Sequence, residues 1–332
     1  MEKTSNASQT ANRNETIAQT VGGNSKYSKK GMILIKTFKP LLLFLLIFYS
    51  AKVQAQRIIL VDSITKAPLS FVAIEFEDSG FYSSISGEFD LKMVISDSLK
   101  IRLLGYKTKK YKTSTLKDTI FLQANSYQLD EVTLTRNQDK TKNIKFLKGA
   151  KSFGSWPLQP KSEIITSIKP SEEIKNHYVD KIIIPFSKVI EKKELKNKKI
   201  KAYVRIHIYN SINNNISESL YSSPPKDVNS FTKDIVTFDI SDEMILLNEN
   251  GIFIGLELIG YYLDSKAHER ANSVIRPQLT SKTNDYFKSN SFLRFVFKNY
   301  EELVPLNEMI NKENPSGKVM CRNLNIGLEL SK

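Results

Sequence analysis

The stretch Ala-Tyr-Val-Arg-Ile-His-Ile-Tyr at residues 202–209 alternates between two kinds of side chain. The apolar series is Ala202, Val204, Ile206 and Ile208, and the polar or aromatic series is Tyr203, Arg205, His207 and Tyr209. Because successive side chains of a β-strand point to opposite faces of a sheet, the stretch predicts a strand with one face on a hydrophobic core. It is the clearest strand in the second half of the chain.

The other face of this strand is a candidate ligand surface. We call Tyr203, Arg205, His207 and Tyr209 the polar face. Rings and a cation on one strand suit the stacking of a sugar or the binding of an acidic partner. The alternative is an ordinary solvated face of a sandwich, and the sequence leaves both possibilities open.

Strand-like runs continue on both sides of this stretch. They lie at residues 164–168, 178–184, 234–247, 251–263, 292–297 and 324–330. No helix of comparable strength is indicated. We therefore expect a second β-sandwich, jelly-roll or immunoglobulin-like, over residues 162–332, preceded by a linker over residues 137–161.

The first half of the chain also predicts a sandwich. Residues 57–135 form short alternating runs separated by polar turns, which is typical of a small antiparallel fold. Leu99 and Ile101 are predicted to face inward. Gly87 is expected to supply the positive φ of a tight turn, and Phe89 to anchor the strand that follows it. The predicted fold class is therefore all-β throughout.

Residues in this half resemble the carboxypeptidase regulatory-like domain. The resemblance rests on Val61-Asp62, Pro68-Leu69, Val72-Ala73, Ser86-Gly87-Glu88-Phe89, Leu99, Leu104-Gly105-Tyr106 and Leu129-Asp130-Glu131-Val132. Their order and spacing match the family over about 80 residues, and the domain is assigned to residues 56–136.

The resemblance implies a noncatalytic, seven-stranded, transthyretin-like sandwich. The family occurs beside metallocarboxypeptidase catalytic domains and at the amino terminus of TonB-dependent outer-membrane receptors. This chain departs from the family pattern in two places. Residues 58–61 read Ile-Ile-Leu-Val where a glycine-led pattern is usual, and the turn at Ser86-Gly87 keeps the glycine but lacks the usual aspartate.

An export signal is predicted at residues 32–55. Two lysines precede an apolar run at residues 41–49, which has the length of a secretory core and is short for a transmembrane helix. Cleavage is expected between Ala55 and Gln56. Residues 1–31 are polar and lack apolar periodicity, so they are expected to be a disordered arm or a misassigned start, with translation from Met32. An uncleaved anchor is the third alternative.

Composition limits the partners of the exported chain. The net charge of the whole chain is +14, and removing residues 1–55 leaves 41 basic against 33 acidic residues, a net charge of +8. An exported basic protein meets envelope proteins, glycans and anionic lipid rather than nucleic acid. After cleavage, membrane association is expected to be peripheral only. Cys321 is the one cysteine, so no internal disulfide is possible, and we expect it to be a partly buried thiol.

The sequence carries no recognisable catalytic motif. His177, His207 and His268 lack the spacing of a zinc site, so each is expected to be a surface or strand-edge residue. No phosphate loop or nucleophile elbow is present, and no cofactor or metal is expected. Acidic pairs are plentiful, but sequence alone does not place two of them across a cleft.

The sequence thus predicts a noncatalytic protein exported to the periplasm, the outer-membrane surface or the medium. Its expected role is that of a binding or assembly module of the cell envelope. One alternative is a carbohydrate-recognition accessory protein. The other is an envelope hydrolase with its site in the second domain.

Overall fold

The computed structural model describes most of the chain after residue 55. The described residues are 56–125, 141–147, 154–188, 200–229, 235–263, 266–267, 275–297, 303–314 and 320–332. Residues from Ala55 to Lys332 form one compact unit. The predicted signal, the alternative start at Met32 and the strand expected at residues 132–134 lie outside the described residues.

Two small sheets form the first domain. Its strands are β1 (Arg57–Asp62), β2 (Ala73–Phe76), β3 (Ser79–Tyr82), β4 (Glu88–Asp90), β5 (Ser98–Arg102), β6 (Lys109–Lys112) and β7 (Thr119–Leu122). The strand orders are β4-β1-β7 and β3-β2-β5-β6. All pairs are antiparallel except β1 with β7, which is parallel.

A hydrophobic core lies inside this domain. Leu99 and Ile101 are buried in it, as the alternation predicted, and Phe89 packs with them. Gly87 has φ +75°, and a Cβ at that position would lie 2.8 Å from the carbonyl oxygen of Leu60, so only glycine fits the turn. The predicted all-β sandwich class is confirmed, while the transthyretin-like topology stays a prediction.

The rest of the described chain consists of strands and one α-helix. The strands are β8 (Lys142–Ile144), β9 (Ser162–Pro170), β10 (His177–Lys188), β11 (Ile200–Ile212), β12 (Asn215–Ser222), β13 (Lys226–Asn229), β14 (Ile235–Asp239), β15 (Leu246–Leu247), β16 (Ile252–Leu263), β17 (Lys266–Ala267), β18 (Ile275–Pro277), β19 (Leu279–Thr280), β20 (Phe287–Phe295), β21 (Val304–Pro305), β22 (Asn323–Leu324) and β23 (Gly327–Ser331). The helix is α1 (Leu306–Lys312). Short 3-10 turns lie at Leu91–Met93 and Thr113–Thr115 in the first domain and at Ser241–Glu243 in this second part.

Two large sheets dominate this second part. The eight-stranded sheet has the order β12-β11-β16-β9-β20-β21, with β13 beside β11 and β17 beside β16. The six-stranded sheet has the order β14-β10-β23-β8, with β15 and β18 beside β10. Apolar side chains from strands of both sheets form the largest hydrophobic core of the described chain, as a sandwich requires.

The segment expected to be a linker, residues 137–161, differs from that expectation. Lys142–Ile144 pairs with β23 as an edge strand, and Ile144 enters the large core. Trp156 and Leu158 are buried in the same core. The lysines, glycines and prolines around these positions predict a loop, but the few apolar side chains of the segment pack into the large core.

Candidate ligand cleft

The polar face belongs to β11, and its alternation is as predicted. Ala202, Val204, Ile206 and Ile208 lie in the large core. The polar face points away from that core, onto the outer side of the eight-stranded sheet. The first domain covers part of this outer side, so that part of the sheet is buried on both faces.

Four neighbouring strands bring four charged side chains into one row. Arg205 on β11 lies opposite Glu257 on β16. Glu257 lies opposite Glu163 on β9, and Glu163 lies opposite Arg294 on β20. We call Arg205, Glu257, Glu163 and Arg294 the charged row. All four are buried, so their charges must be compensated within the protein.

At one end of the row, Arg294 and Tyr209 hold Glu163. The Nη2 and Nε of Arg294 donate to Oε2 of Glu163 at 2.6 and 3.2 Å, and the Tyr209 hydroxyl donates to Oε1 at 3.0 Å. Arg294 also donates to the Tyr209 oxygen at 2.6 Å. Burial and the negative charge of Glu163 raise the pKa of Tyr209, so its hydroxyl stays protonated and able to donate.

A glycine makes room for the Glu163 side chain. Gly255 is the neighbour of His207 on β16, and a Cβ there would lie 1.7 Å from Oε1 of Glu163. The carboxylate therefore lies over a position where any other residue would displace it.

In the middle of the row, Glu257 accepts hydrogen bonds from two sides. Nε2 of His207 lies 2.8 Å from Oε2, and the Tyr82 hydroxyl donates to Oε1. Nε of Arg205 lies 3.5 Å from Oε2. Burial opposes ionisation of Glu257, but the His207 hydrogen bond and the Arg205 charge outweigh it and lower its pKa to about 2. Glu257 is therefore a carboxylate at neutral pH.

The ionised Glu257 fixes the tautomer of a neutral His207. A carboxylate only accepts hydrogen bonds, so Nε2 of His207 carries the proton that it donates. Nδ1 is then an acceptor, and it lies 2.6 Å from Oγ of Ser222 on β12. When His207 is neutral, Ser222, His207 and Glu257 thus form a continuous hydrogen-bonded chain, Oγ–H to Nδ1 and Nε2–H to carboxylate.

The first domain closes over this chain of residues. Besides Tyr82 on Glu257, the carbonyl oxygen of Phe71 accepts from Nη2 of Arg205 at 3.5 Å. Tyr82 also packs on Phe297, with ring centroids 4.9 Å apart. These contacts leave a cleft of about 350 Å³ between the two domains. Its walls include Arg102, Leu104, Gly105, Tyr106, Thr108 and Asn125 from the first domain, and Arg205, His207, Tyr209, Ser219, Ser222, Glu257, Glu163 and Arg294 from the second.

Three residues of the polar face line this cleft, and one does not. Arg205, His207 and Tyr209 are wall residues. Tyr203 instead packs on Phe71 and Tyr262, with ring centroids 4.8 and 5.2 Å apart. Tyr203 borders a separate depression of about 880 Å³.

The alternative of a solvated face does not hold for these wall residues. Arg205 is 8% exposed and Tyr209 is 9% exposed. The sequence predicts each histidine at the surface or at a strand edge. His177 is buried, as the first residue of β10. The His207 side chain is 16% exposed and lies within β11, which is paired on both sides, and His268 lies outside the described residues. Cys321 is exposed rather than partly buried.

Sequence reasoning missed Glu163, Glu257, Arg294, Tyr82 and Ser222. One signal for the second buried face was present in β16. Its outward positions carry Phe253, Gly255 and Ile259 besides Glu257, so the strand is apolar on nearly every position. A strand with one wet face alternates instead, and a continuous apolar run indicates burial on both sides.

Within the described ranges, no group of three or more His, Cys, Asp or Glu side chains is arranged to hold a metal ion. No helix in the same ranges has the length and apolar composition needed to span a membrane. The walls of the cleft carry hydrogen-bond donors and acceptors and guanidinium groups.

Comparison of the chain with protein-family models, curated proteins and solved structures found no match in any of the three.

Proposed function

We propose that this chain is an exported binding module of the cell envelope, and that the cleft between its two β-domains is the ligand site. The observation that carries the proposal is the cleft itself. Arg205, His207 and Tyr209 converge there from one strand, and Tyr106, Thr108 and Asn125 converge from the other domain. Ligand pockets are typically concave sites, often between domains, in which a small number of polar groups converge.

A binding role suits the state of the two carboxylates. A glycosidase needs one carboxyl group that is protonated near neutral pH, so that it can act as a general acid. Glu257 is held ionised, and Glu163 receives hydrogen bonds from Arg294 and Tyr209. Glu257 is therefore not prepared to donate a proton, and both oxygens of Glu163 are occupied as hydrogen-bond acceptors. We infer that the charged row joins and shapes the walls of the cleft.

The cellular setting of the proposal comes from the sequence. The export signal at residues 32–55 and the resemblance over residues 56–136 support a location in the periplasm, on the outer-membrane surface or in the medium. The expected partner is an envelope protein, a glycan or an anionic lipid surface. Association with the membrane would be peripheral.

A binding screen with a cleft-filling variant tests this function. The purified full-length chain is assayed against a panel of envelope glycans and against vesicles of anionic lipid. Ser219 is an exposed residue at the edge of the cleft, and Ser219→Trp is expected to lower binding by filling it. Ser217→Trp is the matched control, because Ser217 is exposed on the same strand and is not a wall residue. The proposal fails if nothing on the panel binds, or if Ser219→Trp binds like the wild type.

A second candidate function, an envelope hydrolase, is favoured by one observation. Ser222, His207 and Glu257 have the roles of a nucleophile, a base and an orienting acid, with the distances that such a triad requires. In that function Oγ of Ser222 would attack an ester carbonyl while Nδ1 of His207 takes its proton. The ring is reversed relative to the serine protease triad, in which Nε2 faces the serine.

Covalent labelling separates this candidate from pure binding. A fluorophosphonate probe forms a stable bond to an activated serine and would label the wild type if Ser222 is a nucleophile. Ser222→Ala would then abolish labelling, and Ser223→Ala, next to it on the chain, would not. A wild-type protein that resists the probe removes the hydrolase from consideration.

A further inference from the structure

Arg205 is the buried guanidinium of the cleft whose hydrogen-bonding capacity is least used. It is 8% exposed, and its Nε has no hydrogen-bond partner among the described residues. Its Nη2 makes one long contact, 3.5 Å to the carbonyl oxygen of Phe71. Arg294, at the other end of the charged row, donates twice to Glu163 and once to Tyr209. A guanidinium carries five donors, and buried donors without partners are rare in native proteins.

The nearest anion to Arg205 is already committed to other groups. Glu257 accepts from Tyr82 on one oxygen and from His207 on the other. The 3.5 Å between Nε of Arg205 and Oε2 of Glu257 is too long for a good hydrogen bond. Arg205 is thus held in place beside the Tyr82 ring and partly neutralised, while its buried Nε keeps an unused donor and its Nη2 only one long contact.

We propose that the cleft binds the carboxylate of an acidic sugar, and that Arg205 is the residue that pairs with it. This inference rests on the proposed binding function and specifies its ligand class. The planar fork of a guanidinium matches a carboxylate, which accepts two parallel hydrogen bonds from it.

The ion pairs around the cleft leave Arg205 as its least compensated charge. Among the wall residues, three arginines stand against two glutamates. Arg102 forms an ion pair with Glu75, and Arg294 is bound to Glu163. A carboxylate beside Arg205 would therefore meet a cation that no buried acid fully satisfies.

The rest of the wall suits the hydroxyl groups of a sugar. Thr108, Asn125 and Ser219 are exposed wall residues that offer hydroxyl and amide groups. Deeper in the cleft, the Tyr82 and Tyr209 rings are covered by Arg205 and Arg294, at 5.4 and 5.1 Å, so the polar groups at the rim are the ones that a sugar would meet. A volume of about 350 Å³ is at the small end of the range for ligand pockets, so one or two sugar rings are the expected size.

The experiment compares sugars that differ in one group. Glucuronate and galacturonate carry a carboxylate where glucose and galactose carry a hydroxymethyl group. Calorimetric titration of the purified full-length wild type is expected to show uronate binding, with the matched neutral sugar weaker by about tenfold or more. Inorganic sulfate, as an anion without a sugar, is expected to bind more weakly than the uronate.

Variants of Arg205 locate the interaction. Arg205→Met is expected to abolish the preference for the uronate, and Arg205→Lys to retain part of it, because lysine keeps the charge but loses the fork. Arg57→Met is the control, since Arg57 is a β1 residue whose side chain is 74% exposed. Circular dichroism checks that each variant is folded.

Three results would overturn the inference. They are equal binding of uronates and neutral sugars, sulfate binding as tight as uronate binding, and no uronate binding at all by the wild type. The first of these leaves the proposed binding function intact, because a ligand still occupies the cleft. The wild-type sugar comparison decides the matter even if Arg205→Met does not fold.

Discussion

Nε2 of His207 lies 2.8 Å from Oε2 of Glu257, on a strand adjacent to its own and under the cover of the other domain. Glu257 is 1% exposed, and the Tyr82 hydroxyl of the first domain binds its second oxygen. One carboxylate therefore links two strands of the large sheet with the small domain above them. The stability of the whole unit should depend on its charge.

Glu257→Gln is expected to destabilise the protein by about 3 kcal/mol, because it removes one partner of a buried ion pair and leaves Arg205 without its counter-ion. Urea unfolding followed by circular dichroism measures the change in the free energy of unfolding. Glu218→Gln is the matched control, since Glu218 is exposed on β12 of the same sheet. Equal stabilities of the two variants would contradict the central role of Glu257.

The pH dependence of stability should reveal the same carboxylate. The pKa of Glu257 is about 2 in the folded protein, below its ordinary value of 4.5. A lowered folded pKa stabilises the protein above the unfolded pKa, and that contribution is lost as the pH falls. We expect about 3 kcal/mol to be lost between pH 5 and pH 2.

Unfolding measured across that range in the wild type and in Glu257→Gln isolates this contribution from other acids. Asp62, for example, also has a pKa lowered to about 2, by backbone hydrogen bonds from Thr65 and Ile64 and the Tyr106 hydroxyl. The wild-type curve should fall more steeply than the variant curve. Parallel curves would mean that Glu257 does not titrate in this window.

Gly255→Ala is expected to destabilise the protein by about 2 kcal/mol, because the new methyl group would displace the carboxylate of Glu163 from Arg294 and Tyr209. Thermal unfolding measures the effect. Gly260→Ala, on the same strand, is the control, since its Cβ would come no closer than 3.3 Å, to the ring of Tyr262. A Gly255→Ala variant as stable as this control would show that Glu163 moves aside at no cost.

The fold was predictable from sequence because alternation is a local property. The apolar series of β11 and the inward positions of β5 follow from side-chain period alone, and both are buried as expected. The strand at Lys142–Ile144 was not predicted, because a three-residue strand in a polar segment is too short to show a detectable alternation.

The candidate site was predictable only in part, for a related reason. Arg205, His207 and Tyr209 were identified because they share one strand. Glu257, Glu163 and Arg294 join them through strand register, which pairs residues 46 to 131 positions apart in hydrogen bonds. Tyr82 comes from another domain. A single sequence does not specify which strands are neighbours. The charged row and its contact with the first domain are therefore visible only in the three-dimensional structure.

Export of the chain predicts a processed amino terminus. Mass spectrometry of the protein from fractionated native cells is expected to find an amino-terminal peptide that begins at Gln56, or its cyclised form, in the envelope or the medium. An intact Met1 terminus in the cytoplasm would contradict export and return nucleic acid to the possible partners of a basic surface.

The contact of the two domains can be tested through the one tryptophan of the chain. Trp156 is buried in the core of the second domain, so its fluorescence reports unfolding of that domain. Tyr82→Phe changes only the first domain, yet it removes the hydroxyl that binds Glu257. We expect the midpoint of the Trp156 transition to fall by the equivalent of about 1 to 2 kcal/mol, because a buried carboxylate loses a hydrogen bond.

Tyr111→Phe is the matched control, since Tyr111 packs beside the core of the first domain and its hydroxyl makes no hydrogen bond to a described residue. If the two variants give the same Trp156 transition, the domains unfold independently and the cleft between them is not held by Glu257.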